Sequence, residues 1–452
     1  MSTLFRTAAL SNLLKNQMFF ASRAMIRDGW PNHMMVNALQ RDEALSADEL
    51  QHRARKHLHQ TLQVAIGKLP YYAEIASDFS VNQSEEVLRN CFPVIDKATL
   101  LDNPTRLYPH AGSRRPWESV GKTSGTTGTP LSISRSMRSV LMENAFIKRH
   151  WAWAGFHDGM KRATLRGDMV VGLQQATPPF WFMNHYNRQL LLSSRHLTDS
   201  CVIPIMNELE RFAPHILQAY PSTAYTLALY LKRHDRRVSI PFVFTASEPL
   251  YSHQREMIEE RFGCKIMDMY GMAERVAFAT QCEFGEMHIN SDYSYVEILD
   301  EKGHPTDDYG YVTGTTFHNH AMPLVRYRLS DRTKWKRGQC LCGRAFPMIE
   351  PVTGKFEDRI TGSDGVEISP SILTFAFKGV ENIRKSQVAQ LGPGRWEVRI
   401  VPAPAFELAD QRKLIANIHE LVDARIDVNV VLKDELSATA AGKFQWVVNE
   451  SR

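Results

Sequence analysis

The chain has no long apolar run, and no segment approaches the roughly 18 consecutive residues of a membrane span. Cysteine is scarce, with 6 among 452 residues, and residues 1–30 lack the compact apolar core and cleavage site of an export signal. A disulfide framework is therefore not expected. Residues 1–30 instead predict an amphipathic helix, whose packing on the protein's own body is favoured over a membrane surface. These features predict a cytoplasmic protein with no integral membrane segment.

Several catalytic and binding signatures are also absent. The 17 histidines form no His-Glu-x-x-His pair, no serine lies in a Gly-x-Ser-x-Gly elbow, and no glycine loop has the Walker spacing. No basic cluster is interleaved with aromatic residues, so no nucleic-acid partner is expected. The formal net charge of +5 is small and suits an anionic small molecule.

The composition is that of an ordinary globular protein, with 43% hydrophobic and 23% charged residues. Helical patterns dominate residues 1–110. Short β-branched or aromatic runs alternate with helical ones over 121–351, which indicates an α/β fold. The pattern then changes to a compact α+β unit. We predict two domains, 1–354 and 355–452.

Individual elements of the α/β region are also predicted. Strands are expected at 241–246 and 265–269, with a helix at 252–262 between them. The runs at 296–299 and 310–317 are typical of antiparallel strands joined by turns.

The most informative segment is the loop Thr123–Pro130, which reads Thr-Ser-Gly-Thr-Thr-Gly-Thr-Pro. Gly125 and Gly128 let the main chain approach a ligand closely and adopt positive φ. The loop therefore offers a phosphate several hydroxyls and unobstructed backbone N–H groups. Runs of Ser, Thr and Gly are also ordinary turns, so this loop alone leaves both interpretations open.

Three further motifs follow in order. Asp268–Glu274 comes directly after a predicted strand; its glycine allows a close turn, its tyrosine can stack or hydrogen-bond, and its glutamate can hold a divalent cation. Pro323–Asp331 is predicted as a buried strand that ends in an aspartate able to accept both hydroxyls of a ribose. Thr439–Phe444 is a small-residue loop that presents Lys443 near the C-terminus.

In this order and at these separations, the four motifs resemble those of the acyl-adenylate-forming superfamily. They are most similar to its phenylacetate–CoA ligase-like branch, including relatives from polysaccharide-capsule clusters. The resemblance runs from Leu69 to Lys443. It implies a large N-terminal adenylate-forming domain of layered sheets and helices, with a small mobile α+β C-terminal domain.

The resemblance implies a reaction in two steps. ATP activates an organic acid, aromatic or otherwise compact, to an acyl-AMP, and a thiol, typically that of coenzyme A, then displaces AMP. Mg²⁺ is the implied cofactor.

The resemblance also implies roles for individual residues. Lys443 would bridge the carboxylate and the phosphate, Glu274 would place Mg²⁺, and Thr126 would act with the phosphate loop. Tyr270 would lie beside the adenine, and Asp331 would bind the ribose. The residues expected around ATP are Thr123, Ser124, Gly125, Thr126, Thr127, Gly128, Ser247, Glu248, Asp268, Met269, Tyr270, Gly271, Met272, Asp331 and Lys355.

The connector between the domains departs from the family pattern. The segment 354–358 reads Gly-Lys-Phe-Glu-Asp, where the family commonly has Gly-Arg-x-Asp-Asp. Lys355 keeps the positive charge but not the bidentate fork of arginine, and Glu357 replaces the hinge aspartate. The assignment of segment 354–358 as the hinge between the domains therefore rests on its charge alone.

The acid pocket is expected around the nucleotide motifs, among small or apolar residues that are also typical of a core. The candidates are Ser222, Thr245, Ala246, Ser247 and residues 269–272. Arg166 and Arg195 are candidates to meet an anionic group or to form structural ion pairs. His318 and His320 are interpreted as surface residues in preference to residues of the acid site.

Four metal-ligand candidates fall in two pairs, Cys282 with His288 and Cys340 with Cys342. Three thiolates and one imidazole make a closed tetrahedral set, which is typical of structural Zn²⁺. The Cys-x-Cys spacing is tighter than usual, so reduced cysteines without a metal are the alternative. Several phenylacetate–CoA ligase-like sequences have a similar pairing.

Other functions remain compatible with the motifs. The acyl group could go to a carrier protein, an amine or a hydroxyl, or AMP could go to an acceptor, in a polysaccharide or secondary-metabolite pathway. A non-catalytic adenine-nucleotide-binding protein is the alternative from another class, and the set of Glu274, Asp331 and Lys443 argues against it. The sequence leaves a homodimer open.

Overall fold

The helical pattern of the N-terminal region produces a series of helices. The computed structural model describes residues 27–108, 118–122, 131–172, 174–352, 360–365, 367–368, 382–436 and 446–451, and single residues 18, 21, 22, 25, 373, 376, 377 and 380. The first helices are α1 (Trp30–Asp42), α2 (Ala47–Lys68), α3 (Ser84–Cys91), α4 (Lys97–Asp102) and α5 (Pro104–Leu107), with 3-10 turns at Pro70–Tyr72 and Val81–Gln83. A capping box begins α2: the Ser46 hydroxyl accepts from the Glu49 N–H, and the Glu49 carboxylate accepts from the Ser46 N–H.

The α/β region forms one large mixed sheet. Its strands and those of the smaller sheets beside it are β1 (Glu118–Lys122), β2 (Ser132–Ser136), β3 (Arg162–Leu165), β4 (Trp181–Asn184), β5 (Gln189–Leu192), β6 (Ile216–Ala219), β7 (Phe242–Ala246), β8 (Lys265–Gly271), β9 (Phe278–Gln281), β10 (Met287–Ile289), β11 (Ser294–Leu299), β12 (Gly310–Thr316), β13 (Tyr327–Thr333), β14 (Trp335–Lys336) and β15 (Met348–Ile349). Over the described chain, the large sheet has the order β14-β15-β10-β9-β8-β7-β6-β3-β5-β4. Strands β5, β3, β6, β7 and β8 are parallel, and antiparallel strands flank them.

Helices cover both faces of this sheet. They are α6 (Met137–Trp153), α7 (Val202–Phe212), α8 (Pro221–Arg233) and α9 (Ser252–Phe262), with a 3-10 turn at Ser194–His196. Helices α7, α8 and α9 pack against one face in the largest apolar cluster. Helix α6 contacts the opposite face, where Trp151 packs with Phe244 and Met267. The parallel strands are therefore buried on both sides, as such strands require.

A second sheet, with the order β11-β12-β13, is antiparallel throughout. It lies close to the segment that follows β8, because a Cβ on Gly314 would come within 1.9 Å of the Val276 carbonyl oxygen. Only glycine permits this approach. The contact places β13 beside the end of β8.

The C-terminal residues form a unit with its own core. Its elements are β16 (Ile360–Thr361), β17 (Glu367–Ile368), β18 (Ile383–Gly392), β19 (Arg395–Pro402), α10 (Leu408–Leu421), β20 (Asp427–Leu432) and β21 (Val447–Asn449). Its larger sheet has the order β20-β19-β18-β21. The fully buried Trp396 and Trp446 occupy its core.

The predicted α/β class with a small C-terminal α+β unit is confirmed. The helix predicted at 252–262 is α9, and the strands predicted at 241–246 and 265–269 are β7 and β8. The boundary between 354 and 355 stays a prediction, because 353–359 lie outside the described residues. Across the part of the chain that the structure describes, no helix combines the length and the apolar character that a membrane crossing needs.

One buried ion pair attaches α6 to the large sheet. The Arg149 guanidinium donates to both carboxylate oxygens of Asp292, at 2.5 and 3.0 Å, and its side chain is fully buried. The same group also donates to Oδ1 of Asn290 and lies over the rings of Phe146 and Phe346. It therefore joins the helix to the residues that follow β10.

We expect Arg149→Met to lower the free energy of unfolding by about 3–5 kcal/mol, because the Asp292 carboxylate would be left buried without a partner. Urea unfolding followed by circular dichroism measures the change. Arg337→Met, which removes the partner of the exposed Asp307, should cost less than about 1 kcal/mol. Equal losses in the two variants would contradict a special role for Arg149.

Candidate active site

The end of β8 carries the Asp268–Glu274 motif. The strand continues two residues beyond its predicted end, through Gly271, so Tyr270 lies within it. The Tyr270 hydroxyl donates a 2.8 Å hydrogen bond to Oδ2 of the buried Asp331 on β13. Burial and the Asp331 carboxylate raise the pKa of Tyr270 well above its ordinary value, so the phenol keeps its proton and remains a donor. The structure thus brings the second and third motifs together.

Asp268 is held by the neighbouring strand. It lies opposite Thr245 in the register of β7 and β8, and the Thr245 hydroxyl donates a 2.6 Å hydrogen bond to its Oδ1. Burial raises the pKa of Asp268. The hydrogen bond fixes this side chain on the face of the sheet opposite to that of Met269.

Glu274 lies beside the hairpin that carries the phosphate-loop motif. Strands β1 and β2 pair antiparallel, and the loop connects them. Arg135 of β2 donates a 2.6 Å hydrogen bond to the Ala273 carbonyl, and the Tyr327 hydroxyl lies 3.5 Å from Oε1 of Glu274. Loop residues 123–130 lie outside the described residues. The described strand β2, which follows the loop in the chain, contacts the second motif through Arg135.

The residues after β7 are engaged with neighbouring elements. Ser247 has a φ of +74°, and its hydroxyl accepts a 3.3 Å hydrogen bond from Arg166. The Glu248 carboxylate accepts a 3.1 Å hydrogen bond from the Ser222 N–H at the beginning of α8. A carboxylate at a helix N-terminus is stabilised by the helix dipole. These contacts hold Arg166 at the carboxyl edge of the parallel strands.

A cavity opens between α6 and the carboxyl ends of β6, β7 and β8. It is small, about 30 Å³, and opens to solvent; its lining consists of Ile147, His150, Trp151, Arg166, Gln218, Ala219, Phe244, Thr245, Ala246 and Met269. The predicted pocket residues Thr245, Ala246 and Met269 are among them, as is Arg166. Ser222 is not. Sequence analysis missed the α6 residues, Gln218 and Phe244.

His150 forms part of the cavity wall and is uncharged. Its Nε2 lies 2.8 Å from the carbonyl oxygen of Gln281, so this nitrogen carries the proton and donates. Complete burial lowers the pKa of His150 to about 3. The ring also packs edge-on against Phe244. The wall opposite the sheet is therefore aromatic and neutral.

The predicted metal ligands form a second site at the edge of the large sheet. The side-chain ligand atoms of Cys282, His288, Cys340 and Cys342 all lie within 4.8 Å of one another. The Sγ atoms of Cys282 and Cys340 are 3.6 Å apart, and the Cys342 Sγ lies 3.5 Å from Nε2 of His288. The other ring nitrogen of His288 lies 3.0 Å from the Phe346 carbonyl oxygen, so it donates and leaves Nε2 as a ligand.

The sequence pattern of the AMP-binding enzyme family matches residues 32–308, which is more than half of the chain. The chain belongs to this family of adenylate-forming ligases. A second pattern, that of the CapK C-terminal domain, matches residues 360–450.

Curated relatives support this assignment. Protein CapK of Staphylococcus aureus is 23% identical over 337 residues, which cover 72% of this chain and 73% of the relative. Phenylacetate-coenzyme A ligase of Pseudomonas putida is 27% identical over 359 residues, covering 73% and 75%. The enzyme of the same name from Thermus thermophilus is 24% identical over 351 residues, covering 73% and 75%.

Solved structures of low identity have the same fold. A 2-hydroxyisobutyryl-CoA ligase in complex with 2-HIB-AMP and CoA, in the thioesterification state, has a TM-score of 0.57 to this chain at 18% identity. The alignment covers 91% of this chain and 92% of that one.

Several sequence-based expectations for this AMP-binding enzyme are wrong. His318 is buried, not at the surface, and its Nε2 donates to the Asp292 carbonyl oxygen. The segment Pro323–Asp331 is a strand only from Tyr327, because Arg326 has a φ of +48°, and the strand continues to Thr333.

The remaining expectations have mixed outcomes. Arg195, a candidate for an anion contact or a structural ion pair, does not line the cavity and donates to the Gly167 carbonyl. Lys355, Lys443 and most of residues 1–30 lie outside the described residues, so their predicted roles stay predictions.

Two of the buried histidines, His150 and His318, should make stability depend on pH. Burial lowers the pKa of both His150 and His318 to about 3, whereas an unfolded histidine titrates near 6.5. As the pH falls below about 6.5, these two imidazoles bind protons in the unfolded chain but stay neutral in the folded chain. The free energy of unfolding should therefore fall by about 1.4 kcal/mol per pH unit for each histidine.

His318→Gln keeps a donor for the Asp292 carbonyl but does not titrate. We expect its unfolding free energy to fall less steeply than that of the unchanged protein between pH 6 and pH 5. The exposed His52→Gln serves as the control, with unfolding by urea as the measurement. An unchanged slope in His318→Gln would show that His318 is charged in the folded state.

Proposed function

We propose that this AMP-binding enzyme activates a compact aromatic carboxylic acid with ATP and transfers the acyl group to the thiol of coenzyme A. One observation carries the proposal: an aromatic cavity, the Tyr270–Asp331 pair and Glu274 all adjoin the end of β8. The rings of Trp151 and Phe244 line the cavity, and such rings suit a flat acid. Relatives named as phenylacetate-coenzyme A ligases support the same chemistry.

In the first step, an oxygen of the acid carboxylate would attack the α-phosphorus of ATP. The bond from that phosphorus to the pyrophosphate oxygen breaks, which leaves acyl-AMP. Asp331 would accept hydrogen bonds from the ribose hydroxyls, as acidic residues do in other nucleotide sites. Tyr270, which donates to Oδ2 of Asp331, would keep that carboxylate oriented. Such positioning of charged reactants is the main contribution that a protein can make here.

Glu274 fits the Mg²⁺ that the family implies. It offers hard carboxylate oxygens beside the phosphate-loop hairpin, and one protein carboxylate with phosphate oxygens is a common Mg²⁺ ligand set. The ion would supply neutralisation of phosphate charge. Lys443, by its resemblance to the family lysine, would add a further positive charge at the reacting carboxylate.

In the second step, the thiolate sulfur of coenzyme A would attack the acyl carbon, and the bond to the AMP oxygen breaks. The C-terminal unit, residues 360–450 of which match the CapK C-terminal domain, would move between the steps. Lys355 and Glu357 stand where the family commonly has arginine and aspartate, and they leave the charge of the connector unchanged.

Acid-dependent exchange of pyrophosphate into ATP tests the first step, across aryl and alkyl carboxylates with Mg²⁺. Product analysis with and without coenzyme A tests the second. An acyl-CoA product supports the full proposal. Acyl-AMP that accumulates despite coenzyme A points to a carrier protein, amine or hydroxyl acceptor. A product that keeps AMP indicates a nucleotidyl transferase, and ATP binding without exchange contradicts catalysis.

Two variants should separate nucleotide binding from chemistry. Asp331→Ala should weaken ATP binding by about tenfold or more, because it removes a buried charged acceptor. Lys443→Ala should abolish acid-dependent exchange while ATP binding stays within about twofold. Calorimetry with ATP and exchange assays measure the two effects.

Matched controls are the exposed Asp307→Ala and Lys433→Ala, which should change neither quantity. Full exchange activity in Lys443→Ala would remove the role assigned to that lysine. Unchanged ATP affinity in Asp331→Ala would contradict the ribose contact assigned to Asp331.

We also propose that the Cys282–His288–Cys340–Cys342 cluster binds a structural Zn²⁺. Ligands about 2.0–2.3 Å from a tetrahedral zinc lie about 3.5–3.8 Å from one another. The 3.6 Å and 3.5 Å separations in the cluster match that spacing. Four protein ligands fill the coordination shell, so the ion would stabilise the sheet edge and take no part in the reaction.

The purified protein should contain about one zinc per chain by elemental analysis. Cys340→Ser with Cys342→Ser should release the metal and lower the thermal midpoint by several degrees, because metal binding contributes to folding. Cys91→Ser, at an exposed cysteine outside the cluster, should change neither result. Metal-free protein of undiminished thermal stability would overturn the zinc assignment.

A further inference from the structure

The cavity has two walls of different chemistry. Its apolar wall includes Phe244, Ala246 and Met269 from β7 and β8. On the other side, β6 contributes Gln218, and Arg166 lies at the end of β3. In the strand register Gln218 lies opposite Phe244, so both side chains are on the face of the sheet that contacts α6. The polarity of the cavity therefore changes across the strands.

Two hydrogen-bond donors that line the cavity, on Gln218 and Trp151, have no partner among the described residues. Within the described part of the chain, the Gln218 amide forms no hydrogen bond, although the side chain is half-buried. The indole N–H of the buried Trp151, which also lines the cavity, forms none with any described residue. A hydrocarbon acyl group would cover these donors without satisfying them, which is costly.

The polar side is remote from the place where the acid would react. Met269 immediately precedes Tyr270, so the reactive carboxylate belongs at the β8 end of the cavity. Gln218 is two strands away, at about 10 Å by the usual strand spacing. An aryl acid whose carboxylate lies at β8 would direct its far end toward Gln218.

We propose that the acid carries an uncharged hydrogen-bond-accepting oxygen, such as a hydroxyl or carbonyl, at the end remote from its carboxylate. This inference rests on the proposed function and specifies its substrate class. The Gln218 amide would donate to that oxygen, and the Trp151 N–H is a second donor. An uncharged group is favoured because both donors, the Gln218 amide and the Trp151 indole, are uncharged; Arg166 donates to Ser247 and lies over the Tyr220 ring.

Matched acid pairs test the proposal: phenylacetate with 4-hydroxyphenylacetate, and benzoate with 3- and 4-hydroxybenzoate. In acid-dependent pyrophosphate exchange, the kcat/KM of the unchanged protein for the better hydroxylated acid should be about tenfold or more above that for the unsubstituted parent acid. In Gln218→Leu this ratio should fall to about one, because the hydroxyl loses its donor. Gln218→Met is the second variant if the leucine variant does not fold.

Ile147→Val is the matched control, because it alters the cavity volume without changing its polarity. It should change kcat/KM for parent and hydroxylated acids by the same factor and preserve their ratio. A preference for the unsubstituted parent acids in the unchanged protein would overturn the proposal. An undiminished hydroxyl preference in Gln218→Leu would overturn it too, as would a preference for 4-carboxyphenylacetate over 4-hydroxyphenylacetate.

Calorimetric binding of the same acids separates this inference from the proposed function. A hydroxyl preference in binding that Gln218→Leu removes, without pyrophosphate exchange by any acid, would support the inference and contradict adenylation. Exchange that does not discriminate between parent and hydroxylated acids would support adenylation and overturn the inference. Failure of every acid to bind would overturn both.

Discussion

The buried contact between Arg149 and Asp292 is the constraint on which the site's geometry depends. A guanidinium with no exposed surface needs hydrogen-bond partners inside the protein, and the two terminal nitrogens of Arg149 donate to the Asp292 carboxylate and Asn290. That requirement fixes the rotation of α6 about its axis. Ile147, His150 and Trp151 on the same helix are thereby turned toward β6, β7 and β8, and the cavity has its second wall.

The same contact links the cavity to the cysteine cluster. The Arg149 guanidinium lies over Phe346, whose carbonyl oxygen accepts from His288. Displacement of the cluster would therefore disturb Phe346 and, through it, the ring contact with Arg149. We interpret the cluster as an anchor for the sheet edge against which α6 is held, which is compatible with a structural metal.

Local patterns were enough to predict much of the fold. The helix at 252–262 ends at Gly263, which has the left-handed conformation that glycine favours, and its bounds follow from that signal. The order of the four motifs predicted that Tyr270 and Asp331 would serve one site, and the structure joins them by a hydrogen bond. The two ligand pairs of the cysteine cluster were also identified in the sequence, although the tight Cys-x-Cys spacing left metal-free cysteines as the alternative.

Other features depend on contacts between distant segments and could not be predicted. The strand expected from Pro323 begins only after Arg326, whose side chain is held by Glu297 in a buried pair. His318 is buried because α2, α6 and the Asp292 carbonyl surround a polar turn residue. Gln218 belongs to the cavity only through the register of β6 with β7, for which a single sequence carries no local signal.

Strand alternation at β7 and β8 has a consequence for how the acid preference of such a protein can change. Phe244, Ala246 and Met269 lie on the cavity face, whereas the side chains of Asp268 and Tyr270 lie on the other. Substitutions in the first group reshape the space for the acid without touching the side chains that hold Asp268 and Asp331. A duplicated gene could thus diverge by single steps that reshape the cavity, each of which leaves the Thr245–Asp268 and Tyr270–Asp331 hydrogen bonds intact.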